Sequence, residues 1–479
     1  MQISWTKLPF PARTQEEFRR GLTDWLGQVF YETLPEQGFE IREEQIYTAF
    51  RMARTLADGT TLFAEAGSGT GKTFAYLLPA VCYARFRGRP VVVASASGVL
   101  QAQLVGPDGD IQTLSRILGL QIDARQAADP SGYICRVKAD YAYPERGMKG
   151  WKALQSWAKR TRTGARAEVP TVSDDLWSYV AWDPSLPCDT CRHRGTCHLM
   201  MARRHYRAAG DLIITDHGLF ARDLLTRAER LEAGQMPLLP AYSALVLDEG
   251  HHVPEIWQRA QGFSMSASHL QRTLDLIVSG YGNRGSAGRG LADARWERRE
   301  FMAEVLVAAI RQESQAFLNA VLAAAGHEEG RRHVVREGGP AEAAAGLTRA
   351  IEALQDDLVT EEAMQEGTER EVTLRAYQAR LDEILEALAL FRSQEAVLWV
   401  EGEDLWVVPR NPLAPFGPRR LPAGLPVLFS SATLEPAYMA RILQPPRYDS
   451  SRVDVPFNLA HQVLVFQGDP AADEMEAVS

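Results

Sequence analysis

The eight residues Ala66-Gly67-Ser68-Gly69-Thr70-Gly71-Lys72-Thr73 put three glycines, a lysine and a hydroxyl into one short stretch. Glycines let successive backbone N–H groups turn toward one anion, and a following helix N-terminus adds a favourable dipole. ATP with magnesium is the ligand this pattern points to. Gly67, Gly69 and Gly71 would cradle phosphate, Lys72 would reach the β- and γ-phosphates, and Thr73 would ligand the cation. Ala66 replaces the glycine of the general pattern, and a small residue suffices there. The second stretch with chemistry is Leu245-Val246-Leu247-Asp248-Glu249-Gly250-His251, where an apolar run delivers two adjacent carboxylates. Asp248 is expected to hold magnesium through water, and Glu249 to polarise the attacking water as general base. Such a carboxylate pair alone is often just an exposed turn; beside a phosphate loop it completes a catalytic set of Lys72, Asp248 and Glu249.

Cysteines form the third constellation. Cys188-x2-Cys191-x5-Cys197 lies close in sequence, with Cys135 far upstream. A tight turn lets two thiolates face one ion, a third nearly completes the shell, and a distant fourth closes it. The spacing suits zinc or an iron–sulfur cluster. His193 and His198 sit inside this stretch; His198 could serve zinc but is read first as a bystander. Cys82 falls in an apolar run with Ala80, Val81 and Tyr83 and is read as a core thiol.

These groups need elements to hold them. Leu62-Phe63-Ala64 reads as a short strand before the glycine-rich turn, and 72–83 as the helix after it. Pro90-Val91-Val92-Val93-Ala94, Leu212-Ile213-Ile214, Ala244-Leu245-Val246-Leu247 and Pro426-Val427-Leu428-Phe429 read as further buried strands. Strands alternating with helices predict an α/β fold with a parallel sheet. Residues 14–34 carry helical spacing through Leu22, Trp25, Leu26, Val29 and Phe30. Two long inserts interrupt the sheet, 110–210 and 255–420. The second reads as antiparallel helices, from Leu347, Ile351, Leu354, Leu358 and from Leu381, Ile384, Leu385, Leu388, with a loop over 330–346.

At 479 residues, the chain exceeds one comfortable core. No apolar run approaches the roughly 18–20 residues of a membrane span, and the first residues show no signal-peptide pattern, so a cytoplasmic protein is expected. Five cysteines in such a chain favour metal binding over disulfides. The net charge of −9 does not by itself suggest nucleic acid. Between 135 and 210, however, 14 Lys and Arg stand against 7 Asp and Glu, which is compatible with a phosphate-contacting surface or with a basic solvated face.

Together, the phosphate loop and the Asp-Glu-Gly-His variant of a DEAH box resemble superfamily 2 helicases. Ser430-Ser431-Ala432-Thr433-Leu434 resembles their motif III, which links ATP state to DNA contact; the resemblance makes Ser431, Thr433 and His251 coupling residues. Arg42-Glu43-Glu44-Gln45 resembles the adenine-reading Q motif, with Arg42 and Gln45 in the nucleotide site. The chain resembles most the DinG helicases, relatives of the XPD group. Val91-Val92-Val93-Ala94-Ser95-Ala96-Ser97 with Gln103, Asp211-Leu212-Ile213-Ile214-Thr215-Asp216-His217 and Val455-Pro456-Phe457-Asn458 look like that family. Residues 31–45 and 235–240 look like its Firmicutes branch. The resemblance covers nearly the whole chain. It implies 5′-to-3′ movement on single-stranded DNA in repair or replication stress, and favours [4Fe–4S] over zinc for Cys135, Cys188, Cys191 and Cys197. Arg136, Lys138, Arg192, Arg194, Arg203, Arg204 and Arg207 could then hold phosphates, and Trp151, Trp157 and Trp177 could stack bases, although each tryptophan singly is more often core.

The implied organisation is a RecA-like parallel sheet carrying two inserts. Residues 1–109, 211–254 and 423–460 form the first RecA-like domain, 110–210 the iron–sulfur insert and 255–422 a helical arch. Residues 461–479 begin a second RecA-like lobe. Nothing after Thr433 resembles the arginine finger or the glycine–arginine motif of such a lobe. Two functions are therefore expected: a helicase whose motor half is present and is weakly active alone, or an ATP- and single-stranded-DNA-binding protein that needs a separate second-lobe partner to unwind.

Overall fold

In the computed structural model the described residues are 7–455, apart from 142–148, 183–187, 189–190, 192, 268–269, 272–273, 275–293, 326–330, 335–337, 365–368, 415, 417–419 and 423. Arg192, Pro456-Phe457-Asn458 and the expected second-lobe segment 461–479 lie outside them.

Eleven described strands form two sheets. The first contains β1 (Thr61–Ala66), β2 (Val91–Ser95), β3 (Ala124–Gln126), β4 (Leu212–Asp216) and β5 (Ala244–Asp248), with β10 (Val427–Ser431) and β11 (Tyr448–Val453). Its order is β11-β1-β10-β5-β2-β4-β3, with every pairing parallel. A parallel α/β sheet was expected, and its inner strands β1, β10, β5, β2 and β4 are buried on both faces as such sheets require. Alternation decides which residue goes where. Leu62, Val91, Val93, Leu212, Ile214, Val246 and Leu428 enter one core with the N-terminal helices. Phe63, Val92, Ile213, Leu245, Leu247, Val427 and Phe429 enter the core on the other face.

The helix Gln15–Gln28 opens on a capping box between Thr14 and Glu17. Its Phe18, Leu22 and Leu26 are buried in the first core. Cys82 is wholly buried there on the helix Lys72–Arg87, as a core thiol should be.

The second sheet adds strands to the segment 255–420, which was expected to be mainly helical. β6 (Phe263–Met265), β7 (Arg331–His333), β8 (Ala396–Glu401) and β9 (Asp404–Pro409) pair antiparallel in the order β6-β9-β8-β7. Gly402 takes φ +62° in the two-residue connection between β8 and β9, and Trp399 stacks on Trp406 across the pair at 5.9 Å. The helices Ala294–Ala325, Gly339–Met364 and Glu369–Arg392 are present, and Leu347, Ile351, Leu354, Leu358, Leu381 and Leu388 are buried in their core. The loop expected over 330–346 is also corrected, since β7 and the start of a helix fall inside it.

Candidate nucleotide site

Sheet order brings the chemistry together. β10 lies between β1, which feeds the phosphate loop, and β5, which ends on Asp248. Glu65 is in register with Ser431, and Ser430 with Asp248. All three loops therefore leave the carboxyl edge of neighbouring strands, where open parallel sheets bind ligands.

The phosphate loop needs glycine where it bends. Gly69 and Gly71 both take φ +79°, in the left-handed region, and Gly71 caps the helix Lys72–Arg87. A Cβ on Gly71 would stand 2.0 Å from Gln45 Nε2, and one on Gly67 would stand 2.4 Å from Val455 Cγ1. Lys72 Nζ donates to the Ala66 carbonyl at 3.1 Å, bridging the loop it serves, and Thr70 Oγ1 donates to Gly67 O at 2.9 Å. The expected adenine-reading residues clamp the same loop. Arg42 Nη1 donates to Gly69 O at 2.7 Å, and Gln45 Nε2 donates to Gly71 O at 2.8 Å. Gln45 is itself nearly buried, so it couples the upstream helix to the loop.

Asp248 is buried at the end of β5. Burial, and then the neighbouring Glu249 charge, push its carboxyl up to about 6, against a hydrogen bond from Tyr76 and the Lys72 charge. Tyr76 Oη donates to Asp248 Oδ2 at 3.2 Å from a wholly buried ring. Glu249 sits at φ 50°, ψ 47°, a left-handed conformation that costs a residue with a Cβ and turns the chain sharply after β5. Its carboxylate accepts from Ser431 Oγ at 3.1 Å. His251 Nδ1 lies 2.6 Å from the same Ser431 oxygen, and Thr433 N donates to it at 3.4 Å. Glu249, His251, Ser431 and Thr433 thus meet at one hydroxyl. Burial and the adjoining His252, whose ring lies 3.9 Å away, lower the His251 pKa. A cavity of about 570 Å³ opens beside them, lined by Glu65, His251, Thr433, Glu435 and Arg452 among others.

Two residues near this site escaped the sequence argument for function. Tyr76 was legible only as one polar atom in an apolar helix. His217, in a stretch noted for family likeness alone, is buried with Nε2 3.1 Å from Ala94 O; burial lowers its pKa to about 4.

The cysteine segments pack around a small core of Ile134, Leu154, Leu176, Trp177, Val180 and Ala181. Burial pushes the Cys135 thiol up to about 11, with Cys188 adding to the effect. The Cys188 thiol is raised chiefly by burial and further by Cys197 and Cys191, while Trp182 Nε1 donates to its sulfur at 3.2 Å. None of the four is in a disulfide. Among the described residues no group of three or more His, Cys, Asp or Glu is arranged to hold a metal ion.

Several expected nucleic-acid contacts are used internally. Lys138 is buried and donates to Ser178 O, Arg194 donates to Cys188 O, and Arg207 to Pro237 O. Arg203 lies half-buried over the Trp182 ring, while Arg136 and Arg204 are exposed. Trp177 is buried and donates to Ser131 O, 6.0 Å from Trp157, which donates to Glu168. Trp151 packs against the same core. Trp177 is a core side chain, while Trp151 and Trp157 are partly buried against that core. His198 is likewise buried.

No family model matches the chain. It is 30% identical over 485 residues to the probable ATP-dependent helicase YpvA of Bacillus subtilis, covering 97% of this chain and 72% of that one. It is 29% identical over 243 residues to the ATP-dependent DNA helicase YoaA of Escherichia coli, covering 49% of this chain and 36% of that one. Against the ATP-dependent DNA helicase DinG of Photobacterium profundum the identity is 30% over 266 residues, covering 50% and 37%. A solved structure titled XPD_Helicase aligns over 87% of this chain and 62% of its own, at 13% identity and a TM-score of 0.44. Among the described residues, no helix is long and apolar enough to cross a membrane.

Proposed function

The chain belongs to the DinG-like ATP-dependent helicases, and from that premise we propose that it couples ATP hydrolysis to 5′-to-3′ movement on single-stranded DNA. One observation carries this: Ser431, from the motif III strand, bonds both the proposed base Glu249 and His251. A hydroxyl shared in that way ties the hydrolytic carboxylate to a segment that can answer to DNA.

Lys72 binds the β- and γ-phosphates, helped by the helix N-terminus behind Gly71. Thr73 and Asp248 would hold magnesium, which would supply charge neutralisation to the phosphates. Glu249 orients and polarises the attacking water. Gln45 and Arg42 join adenine recognition to the loop they already clamp. The developing charge on the γ-phosphate calls for an arginine, which we assign to a second RecA-like lobe.

Cys135, Cys188, Cys191 and Cys197 are proposed to take up a [4Fe–4S] cluster, on their spacing and the family likeness; all four thiols are free, and Cys188 accepts the Trp182 indole N–H. Residues 110–210 are proposed as the cluster-bearing insert and 255–422 as the arch, with exposed Arg136 and Arg204 on the DNA path.

The test is ATPase and strand separation by these 479 residues on 5′-tailed and 3′-tailed duplexes. DNA-stimulated hydrolysis with preference for the 5′ tail supports the proposal. Activity appearing only when a second-lobe polypeptide is added favours the ATP- and DNA-binding half that depends on a partner. Equal unwinding of both tails would refute the polarity.

A further inference from the structure

The helix behind the phosphate loop buries its side chains almost continuously from Phe74 to Ala84, and apolar ones dominate. Tyr76 is the exception that carries an oxygen to a charged partner. Its ring is wholly buried among aliphatic neighbours, a setting phenylalanine would fill equally well. The hydroxyl is therefore the part to be explained. Buried phenols keep their oxygen where a partner needs it, since an unpaired one is costly.

The partner here is Asp248 Oδ2, 3.2 Å away. Tyr76 lies one helical turn beyond Thr73, on the same face, and helical side chains lean back toward the N-terminus. The phenol oxygen therefore returns to the level of the phosphate loop, near the Thr73 hydroxyl. Proton direction follows from the groups. An ionised carboxylate can only accept, so Tyr76 donates to Asp248 and its oxygen is left to accept from Thr73. Thr73 then has its hydroxyl proton turned away and a lone pair free for a cation. With one carboxylate oxygen pinned, the other Asp248 oxygen has one direction left.

We propose that Tyr76 is a positioning residue for magnesium, holding Asp248 and Thr73 in the orientation that receives the cation. This rests on Asp248 and Thr73 being the magnesium residues of the site.

The experiment uses the full chain, a fluorescent ATP analogue and Tyr76→Phe, which removes one oxygen and keeps the packing. Affinity is measured in EDTA and across a magnesium titration, with thermal unfolding alongside. A hydrogen bond to a charged group is worth roughly ten- to a hundredfold. The magnesium concentration giving half the affinity gain should rise by about tenfold or more, while affinity in EDTA stays as in the parent. Unchanged magnesium dependence in Tyr76→Phe, or equal loss with and without magnesium, would overturn the proposal. Asp248→Asn separates the two levels. If it too leaves the magnesium dependence unchanged, the assignment of Asp248 fails and this inference fails with it. If it abolishes that dependence while Tyr76→Phe does not, Asp248 stands and only the role of Tyr76 is lost.

Discussion

Ser431 Oγ donates to Glu249 Oε2 at 3.1 Å and lies 2.6 Å from His251 Nδ1. A serine has one proton to give, and the carboxylate takes it, so His251 Nδ1–H must be the donor on the other side. Glu249, the proposed base, is thereby held by the Ser431 strand. Ser431→Ala should lower kcat for ATP roughly ten- to a hundredfold, the worth of a hydrogen bond to a charged group, with little change in KM. Steady-state ATPase decides this, and an unaltered kcat would show that Glu249 is held by something else.

Lys72→Ala and Glu249→Gln should separate binding from chemistry. The lysine meets phosphate in the ground state, so its loss should abolish nucleotide binding. The glutamine keeps the shape of the site and loses the base, so binding should persist while hydrolysis stops. Equilibrium binding and single-turnover hydrolysis on the two variants give the comparison. Hydrolysis at the parent rate in Glu249→Gln would remove Glu249 from its role.

Gly71→Ala should disable the loop without removing a phosphate-binding side chain. The added Cβ would overlap Gln45 Nε2 at 2.0 Å, at a φ of +79° that costs an L side chain about 1–2 kcal/mol. ATP affinity should fall, and the Gln45–Gly71 contact should be lost. Parent-like affinity would show that the clamp is dispensable.

Asp248 should destabilise the magnesium-free protein at neutral pH. Its folded pKa is raised to about 6 from 3.8, so the native state binds the proton more tightly than the unfolded chain. Its contribution is fully present below 3.8, is lost as pH rises to about 6, and leaves a penalty on the order of 3 kcal/mol above that. Asp248→Asn should therefore raise Tm at pH 7–8 in EDTA, with the gain vanishing near pH 4. His217, lowered to about 4, has the opposite slope between pH 4 and 6.5, so the difference between parent and variant isolates Asp248. A lower Tm in Asp248→Asn at pH 8 would contradict this.

The cysteines should sort by role. Anaerobically purified protein should be brown and contain iron; Cys188→Ser should remove the colour and Cys82→Ser, in the main core, should retain it. Bound zinc without iron would replace the cluster with a zinc site.

Single-stranded DNA binding should be salt-dependent, and Arg136→Ala or Arg204→Ala should each reduce the slope of log affinity against log salt by roughly 0.7. Fluorescence anisotropy across a salt series measures it. An unchanged slope in both variants would move the DNA path away from this insert.

Local chemistry was legible in the residues themselves. Gly69 and Gly71 need left-handed backbone, Lys72 and Thr73 open a helix, and apolar β-branched runs make buried strands; each of these is decided within a few residues. The cores of the long helices followed from their spacing for the same reason. The antiparallel sheet of β6 to β9 was not legible, because β6 and β7 come from segments distant from the β8–β9 hairpin and are only three residues long. Nor could spacing tell that Lys138 and Trp177 are spent inside the fold, since burial depends on what packs above them. Above all, only the tertiary structure set β10 between β1 and β5. No local preference brings Ser431 to Glu249 across 182 residues; that meeting depends on strand order, which the parallel sheet settles by burying both faces at once.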